Sequence, residues 1–289
     1  MSVHGAVQTK LHLLSNVSGA SIEGIDLSKP LKKNDLQFLE NSLHQHGFIV
    51  LKNQSLSAAQ MVTFARNWGR PSPHVIDTFH HPEEANILLL SNVNKDGKPM
   101  GLVDAGTYFH TDYSYMKDVA RCTILYARDV PKTLNGTTFA NQAKAYADLP
   151  NSTREKIHNL VVKHHYGNRD NLDKQSRSVA SLLNEEQVQK VNWVRHPLVK
   201  KHPFTGQPAL YAVSGSSFGI EGMDTEEALA LLRELAVHAT QDKYCYTNDY
   251  ENGDVVVWDN ALLLHSAPLV DLTRPRSLWR VTVLYPFSY

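Results

Sequence analysis

Two periodicities run along the chain, and each predicts a kind of element. Leu36, Leu39 and Leu43 recur at helical spacing behind Asn34, a residue suited to cap, and ahead of Gly47, a residue suited to stop. They predict a helix over 34–46. Met61, Phe64 and Ala65, followed by Gly69, predict a second over 57–68. A third begins near Asp224, where Glu226 and Glu227 suit the positive end of the helix dipole, and carries Leu229, Leu232 and Leu235 as far as His238. Between the helices lie short runs of β-branched and aromatic residues, at 48–51, 87–90, 122–126, 160–164, 209–213, 254–258 and 278–285. Their spacing is irregular and no regular helices separate them, which argues against a doubly wound parallel sheet. The pattern predicts a mainly β fold, an antiparallel double sheet or barrel with helices added. No repeat, low-complexity stretch or charge block divides the chain, so 1–289 is expected to form one domain. The segments 107–114 and 167–181 are polar and irregular, and such loops more often carry function than structure.

Composition narrows the functional classes. Apolar residues make up 42% of the chain, enough for a large core, and 29 basic residues cancel 29 acidic ones. A balanced surface disfavours binding to nucleic acid through bulk charge. No apolar window is long enough to span a membrane, no secretory leader is evident, and two cysteines suit a reducing compartment, so a cytoplasmic location is expected. The unusual number is 15 histidines, since histidine is the commonest transition-metal ligand.

The histidines separate into ordinary and informative ones. In an extended segment, His110 and Asp112 of His110-Thr111-Asp112 face the same side and can approach one ion. About one such His-x-Asp triplet is expected by chance in this composition, so the spacing alone decides nothing. A third donor is available at His265, delivered by the apolar run that follows Trp258-Asp259-Asn260, although a histidine there also reads as an ordinary core residue. Two imidazoles and one carboxylate form a set that leaves positions open on Fe(II), while no His-Glu-x-x-His helix or cysteine pair supports zinc. Further on, Arg276 and Arg280 share one face of a predicted strand, and Trp279, Val281 and Val283 share the other. Two guanidinium groups aimed into an interior require anionic partners. Paired at the surface, they would mean nothing.

The order His110-x-Asp112, His265, Arg276 and Arg280 resembles the taurine dioxygenase (TauD/TfdA) family of Fe(II)/2-oxoglutarate-dependent dioxygenases. The likeness extends to Gly19-Ala20-x-Ile22-x-Gly24, His46-Gly47-Phe48, Gly136-Thr137-Thr138-Phe139, His202-Pro203-x-Thr205-Gly206 and Gly253-Asp254, which follow the family's order along almost the whole chain. The resemblance implies a double-stranded β-helix, or jelly-roll, core. It implies that His110, Asp112 and His265 hold Fe(II), that 2-oxoglutarate places its far carboxylate on Arg276 and the hydroxyl of Thr137, and that reaction with O2 releases succinate and CO2. It also implies that Arg280 meets the anionic head of the substrate, with His74, Tyr113, Tyr115 and Ser214 as further pocket candidates. Family members are often dimers or tetramers.

Taurine itself fits poorly, because the family's taurine enzymes carry asparagine four residues before the first metal histidine and Gly106 stands there in this chain. The stretch from Ser91 to Tyr113 resembles more closely a branch that acts on amino-acid derivatives in natural-product pathways and includes isonitrile-forming oxidases. The tyrosine-rich stretch of those oxidases is replaced by 73–81, which holds no tyrosine. The expectation is hydroxylation or desaturation of a small, anionic, amino-acid-like substrate in secondary metabolism. The alternatives are isonitrile formation, a sulfonate substrate, a non-catalytic anion-binding jelly roll, and a zinc hydrolase on a related barrel.

Overall fold

The computed structural model describes residues 9–133, 135–169 and 183–287. Its main sheet has eight strands. Seven run in the order Lys10–Leu13, Ala20–Glu23, Phe48–Leu51, Val255–Asp259, Ala120–Asp129, Ser277–Leu284 and Arg70–Ser72, and Leu88–Ser91 also pairs with Ser277–Leu284. All its pairings are antiparallel except that between Ala20–Glu23 and Phe48–Leu51. A three-stranded antiparallel sheet, Cys245–Asn248, Thr137–Asn141 and Leu263–Ser266, packs across it through Phe48 and Phe139, whose rings lie 4.3 Å apart. This is the mainly β, jelly-roll architecture the sequence predicts.

The central strands are apolar on both faces, and the period of two decides what each face does. On one face Ile49, Leu51, Cys122, Ile124, Val255, Val257, Val281 and Val283 pack against Leu39 and Leu43 of the helix Lys33–His46 and Met61, Phe64 and Ala65 of the helix Ala58–Arg66. On the other, Phe48, Val50, Leu125, Val256, Trp258 and Leu278 face the smaller sheet. Arg280 and Thr123 share that inner face by register and are buried there. No helix among the described residues is long and apolar enough to cross a membrane.

Several local expectations need correction. The first helix starts at Lys33 with Lys32 at its N-cap, so Asn34 is inside the first turn and does not cap. Ser57 does cap the second helix, in a reciprocal box with Gln60, but the helix stops at Arg66. In the helix Thr225–Ala239, capped by Asp224, the buried face is Ala228, Leu231, Leu232 and Leu235, and Leu229 is rotated to its edge. The run at 209–213 pairs only over Pro208–Leu210, because Ala212 adopts a left-handed φ of 47° that ends the strand. Most of the polar segment 167–181 lies outside the described residues.

Gly69 ties the second helix to the sheet. Its φ is +151°, and a β-carbon there would sit 2.3 Å from the carbonyl oxygen of Leu284. The obstacle is backbone and not the far end of a flexible side chain, so Gly69→Ala is expected to lower unfolding free energy by about 2–4 kcal/mol, measured by denaturant titration. Wild-type stability in that variant would show that this junction is loose.

Candidate active site

The segment that carries His110 and Asp112 crosses between the sheets and joins the edge of the strand Leu263–Ser266. There His110 and His265 exchange two backbone hydrogen bonds, of 3.0 and 2.9 Å, so their side chains project side by side with ring centroids 4.2 Å apart. Asp112 completes the group, 3.5 Å from His110 Nε2 and 3.7 Å from His265 Nε2. Donor atoms bound to one ion at about 2.0–2.2 Å lie roughly 3–4 Å apart, so the three suit a single centre. Tautomer agrees: Nδ1 of His110 lies 2.8 Å from the carbonyl of Tyr108, to which it donates, and this leaves the Nε2 lone pair facing Asp112.

A second group, His44, His202 and Asp259, is equally compact, but its protons are arranged differently. His202 Nδ1 accepts from the backbone N–H of Thr205 at 3.1 Å, so Nε2 carries the proton and donates to Asp259 at 2.9 Å. That pair is a closed hydrogen bond, which takes up the His202 proton and an Asp259 oxygen, whereas Asp112 stands farther from either imidazole of the group at His110, at 3.5 and 3.7 Å.

Asp112 is held from three directions. Arg280 Nη2 donates to Oδ1 at 2.5 Å, Thr123 Oγ1 donates to Oδ2 at 2.5 Å, and its backbone N–H meets Asn260 Oδ1 at 3.3 Å. Asn260 in turn donates to Thr123 at 3.0 Å. Burial pushes the Asp112 carboxyl up, but Arg280, His265 and His110 outweigh it and hold it well below the usual carboxylate range. Burial, reinforced by His110, keeps the His265 imidazole well below its ordinary pKa and therefore neutral, the form a metal needs.

Arg276 enters the same cavity, which Leu90, Ala105, Leu125, Thr137, Trp258 and Ala267 help to line. It donates to the carbonyl of Asn135 at 3.2 Å, and its buried Nε has no hydrogen-bond partner among the described residues. A guanidinium buried with an unused donor, lining the same cavity as Thr137, is chemically suited to meet an anion.

Beyond Arg280 the wall is aromatic. Tyr113 stands 5.8 Å from Tyr115 and 5.9 Å from His74, Tyr115 meets Tyr166 edge-on at 5.0 Å, and Tyr108 lies 5.2 Å from His110. Burial raises the Tyr113 and Tyr166 phenols to about 12, and enclosure pushes His74 down to about 3, so these groups are neutral. Tyr113 takes a left-handed φ of 55°, a strained turn directly after Asp112, with its hydroxyl donating to the Pro73 carbonyl at 3.1 Å. Ser214 is half-buried in a neighbouring turn, and no hydrogen bond joins it to this group among the described residues. The sequence reading missed Tyr108, Tyr166 and Thr123. Only Tyr108 left a signal, lying two residues before His110.

Gly106 explains one departure from the taurine enzymes in steric terms. Its φ is +71°, and a β-carbon there would meet His110 Cε1 at 2.5 Å, so a larger side chain displaces the imidazole.

A jelly roll that gathers two histidines and an aspartate at one centre, beside two buried arginines, defines the class of Fe(II)/2-oxoglutarate-dependent oxygenases. The chain belongs to the Taurine catabolism dioxygenase TauD, TfdA family, which matches residues 10–282. It is 31% identical over 281 residues to the alpha-ketoglutarate-dependent 2,4-dichlorophenoxyacetate dioxygenase of Cupriavidus pinatubonensis, covering 92% of this chain and 94% of that one. It is 26% identical to the pentalenolactone F synthase of Streptomyces arenae, covering 92% of each. The crystal structure of AAD-2 in complex with Mn(II) and N-oxalylglycine superposes with a TM-score of 0.80 at 25% identity, covering 97% of this chain and 99% of that one. The protein is accordingly an oxidoreductase, a non-haem dioxygenase that uses Fe(II), 2-oxoglutarate and O2.

The two compact groups give opposite expectations. Anaerobic Co(II) titration is expected to find one site in the wild type. That site is lost in Asp112→Asn and His265→Ala and retained in His44→Ala. Loss of the site in His44→Ala alone would exchange the assignments.

Proposed function

We propose that this enzyme oxidises a C–H bond, by hydroxylation or desaturation, of a small monoanionic acid with an apolar or aromatic body. His110, Asp112 and His265 would hold Fe(II), Arg276 and Thr137 would take the far carboxylate of 2-oxoglutarate, and Arg280 would take the substrate's anionic head.

The observation that carries this reading is the charge count of the cavity. Arg276 and Arg280 are buried, Asp112 is hydrogen-bonded to Arg280, half-buried Asp104 acts on Arg276 through its charge, and burial keeps His74, His265 and the Tyr113 phenol neutral. With a divalent ion added, the two guanidinium groups and the ion exceed the one carboxylate bonded directly to them, Asp112, by three charges, and a dry site favours anions there. A 2-oxoglutarate dianion offsets two of them. A monoanion offsets the third.

The same count bears on the amino-acid-like expectation. A free α-amino acid or taurine is a zwitterion, and its ammonium would find no carboxylate on the aromatic wall of Tyr108, Tyr113, Tyr115 and Tyr166. An acid whose nitrogen is acylated, or which has none, meets no such penalty. The 2,4-dichlorophenoxyacetate and (S)-phenoxypropionate dioxygenases among the relatives favour an aryl or aryloxy acid, and the pentalenolactone F synthases support a role in secondary metabolism.

Each part of the protein then has a defined task. Fe(II) with 2-oxoglutarate and O2 supplies the oxidising power, and succinate and CO2 leave. Arg276 and Thr137 fix the cosubstrate at its far end. Arg280 and His74 anchor the substrate head, which sets which carbon lies nearest the centre. Leu90, Leu125 and Trp258 keep water out. Removing hydrogen from carbon in this way requires no protein base, so the remaining histidines stay structural.

A panel of acids assayed for succinate release and O2 consumption tests the reading. Aryloxy, arylacetic or N-acylated acids are expected to couple the two, and free α-amino acids and taurine are not. Arg280→Gln is expected to raise substrate KM at least about tenfold while leaving substrate-independent succinate formation in place. Efficient turnover of a zwitterion, or an unchanged KM in that variant, would defeat it.

A further inference from the structure

One buried tyrosine stands behind the anion site without lining it. Tyr250 is 3% exposed, and its hydroxyl donates to Thr137 Oγ1. The residue is fixed at both ends, because its backbone N–H meets Asn135 Oδ1 at 2.8 Å and its carbonyl accepts from Asn135 Nδ2 at 2.9 Å. The backbone carbonyl of that same Asn135 accepts from Arg276. Tyr250, Asn135, Thr137 and Arg276 therefore form one buried hydrogen-bonded unit, assembled from the strand Thr137–Asn141 and the segments on either side of it in space.

The direction of the phenol–hydroxyl bond has a chemical consequence. A threonine hydroxyl has one proton to give. If that proton went to Tyr250, Thr137 would present only lone pairs to the cavity and would repel a carboxylate. With Tyr250 as donor, the Thr137 proton is free to point at an anion, and the chain phenol to hydroxyl to carboxylate polarises each bond in the same sense. Burial raises the phenol to about 12, so Tyr250 keeps its proton.

We infer that Tyr250 is a positioning residue for the cosubstrate: it orients the Thr137 hydroxyl as a donor to the far carboxylate of 2-oxoglutarate. The inference rests on the assignment of Arg276 and Thr137 to that carboxylate, and it concerns cosubstrate affinity alone. Tyr250 touches neither the metal group nor the aromatic wall beyond Arg280.

The test is anaerobic calorimetric titration of 2-oxoglutarate into the Mn(II)-loaded protein. Tyr250→Phe keeps the ring and removes the donor, and is expected to weaken binding about threefold to tenfold. Under turnover it raises the KM for 2-oxoglutarate by the same factor, with kcat at saturating cosubstrate and the KM for the primary substrate unchanged. Thr137→Val weakens binding further, Thr137→Ser restores most of it, and Tyr250→Phe combined with Thr137→Val is no worse than Thr137→Val alone, because the tyrosine acts through the hydroxyl. Weakened binding in Thr137→Val with wild-type binding in Tyr250→Phe overturns the inference and leaves the carboxylate site standing. Additive losses in the double variant overturn it as well, since they mean that Tyr250 acts through packing. Wild-type binding in both Thr137→Val and Arg276→Leu removes the carboxylate site and the inference with it.

Discussion

Buried positive charge governs this molecule. The strand Ser277–Leu284 turns Trp279, Val281 and Val283 into a hydrophobic core and, by the same period of two, sends Arg280 inward, with Arg276 just ahead of the strand doing likewise. Neither guanidinium can stay in an apolar interior without anions. Arg280 finds Asp112, and Arg276 finds a carbonyl, the charge of Asp104 and an open cavity. Much of the surrounding architecture is the answer to that demand: a jelly roll whose inner face is apolar except where anions are wanted.

The constraint also explains why Asp112 is so firmly tethered. A carboxylate asked to compensate an arginine and to face two imidazoles would swing toward the arginine if nothing else held it. Thr123, on the strand Ala120–Asp129, and Asn260, in the turn after the adjacent strand Val255–Asp259, bind its second oxygen and its backbone and close a small ring of hydrogen bonds among themselves. Gly106 packs against the His110 ring from the opposite side. Such support around the reacting centre is what makes a site stiff enough to be selective.

What could be read from the sequence depended on whether a role is local. His110-x-Asp112 shares a face by simple alternation, and Arg276 and Arg280 do so by the same rule, so these were legible in one dimension. His265 was ambiguous alone and became informative through its order after the others, while Thr137 rested wholly on family resemblance. Tyr108 and Tyr166 were not legible together, because they come from separate segments that meet only in the folded chain, and Tyr250 reaches Thr137 from yet another segment. Nor does composition announce that Tyr113 will adopt a left-handed backbone, since the surrounding packing imposes that conformation. The misplaced cap at Asn34 has a plainer cause: an extended Lys32 already starts the helix, and Asp35 supplies its first-turn negative charge.

The reciprocal bridge between His110 and His265 is made by main-chain atoms. The sheet edge therefore helps to set the separation of the two imidazoles, and the contact joins distant parts of the chain, the kind of pairing that is slow to form. A frame of this kind would let metal loading be a docking event onto a folded chain. In small zinc domains, by contrast, the ion itself organises the chain. An enzyme built this way would then be able to lose its iron to oxidation or chelation and be recharged without passing through an unfolded state.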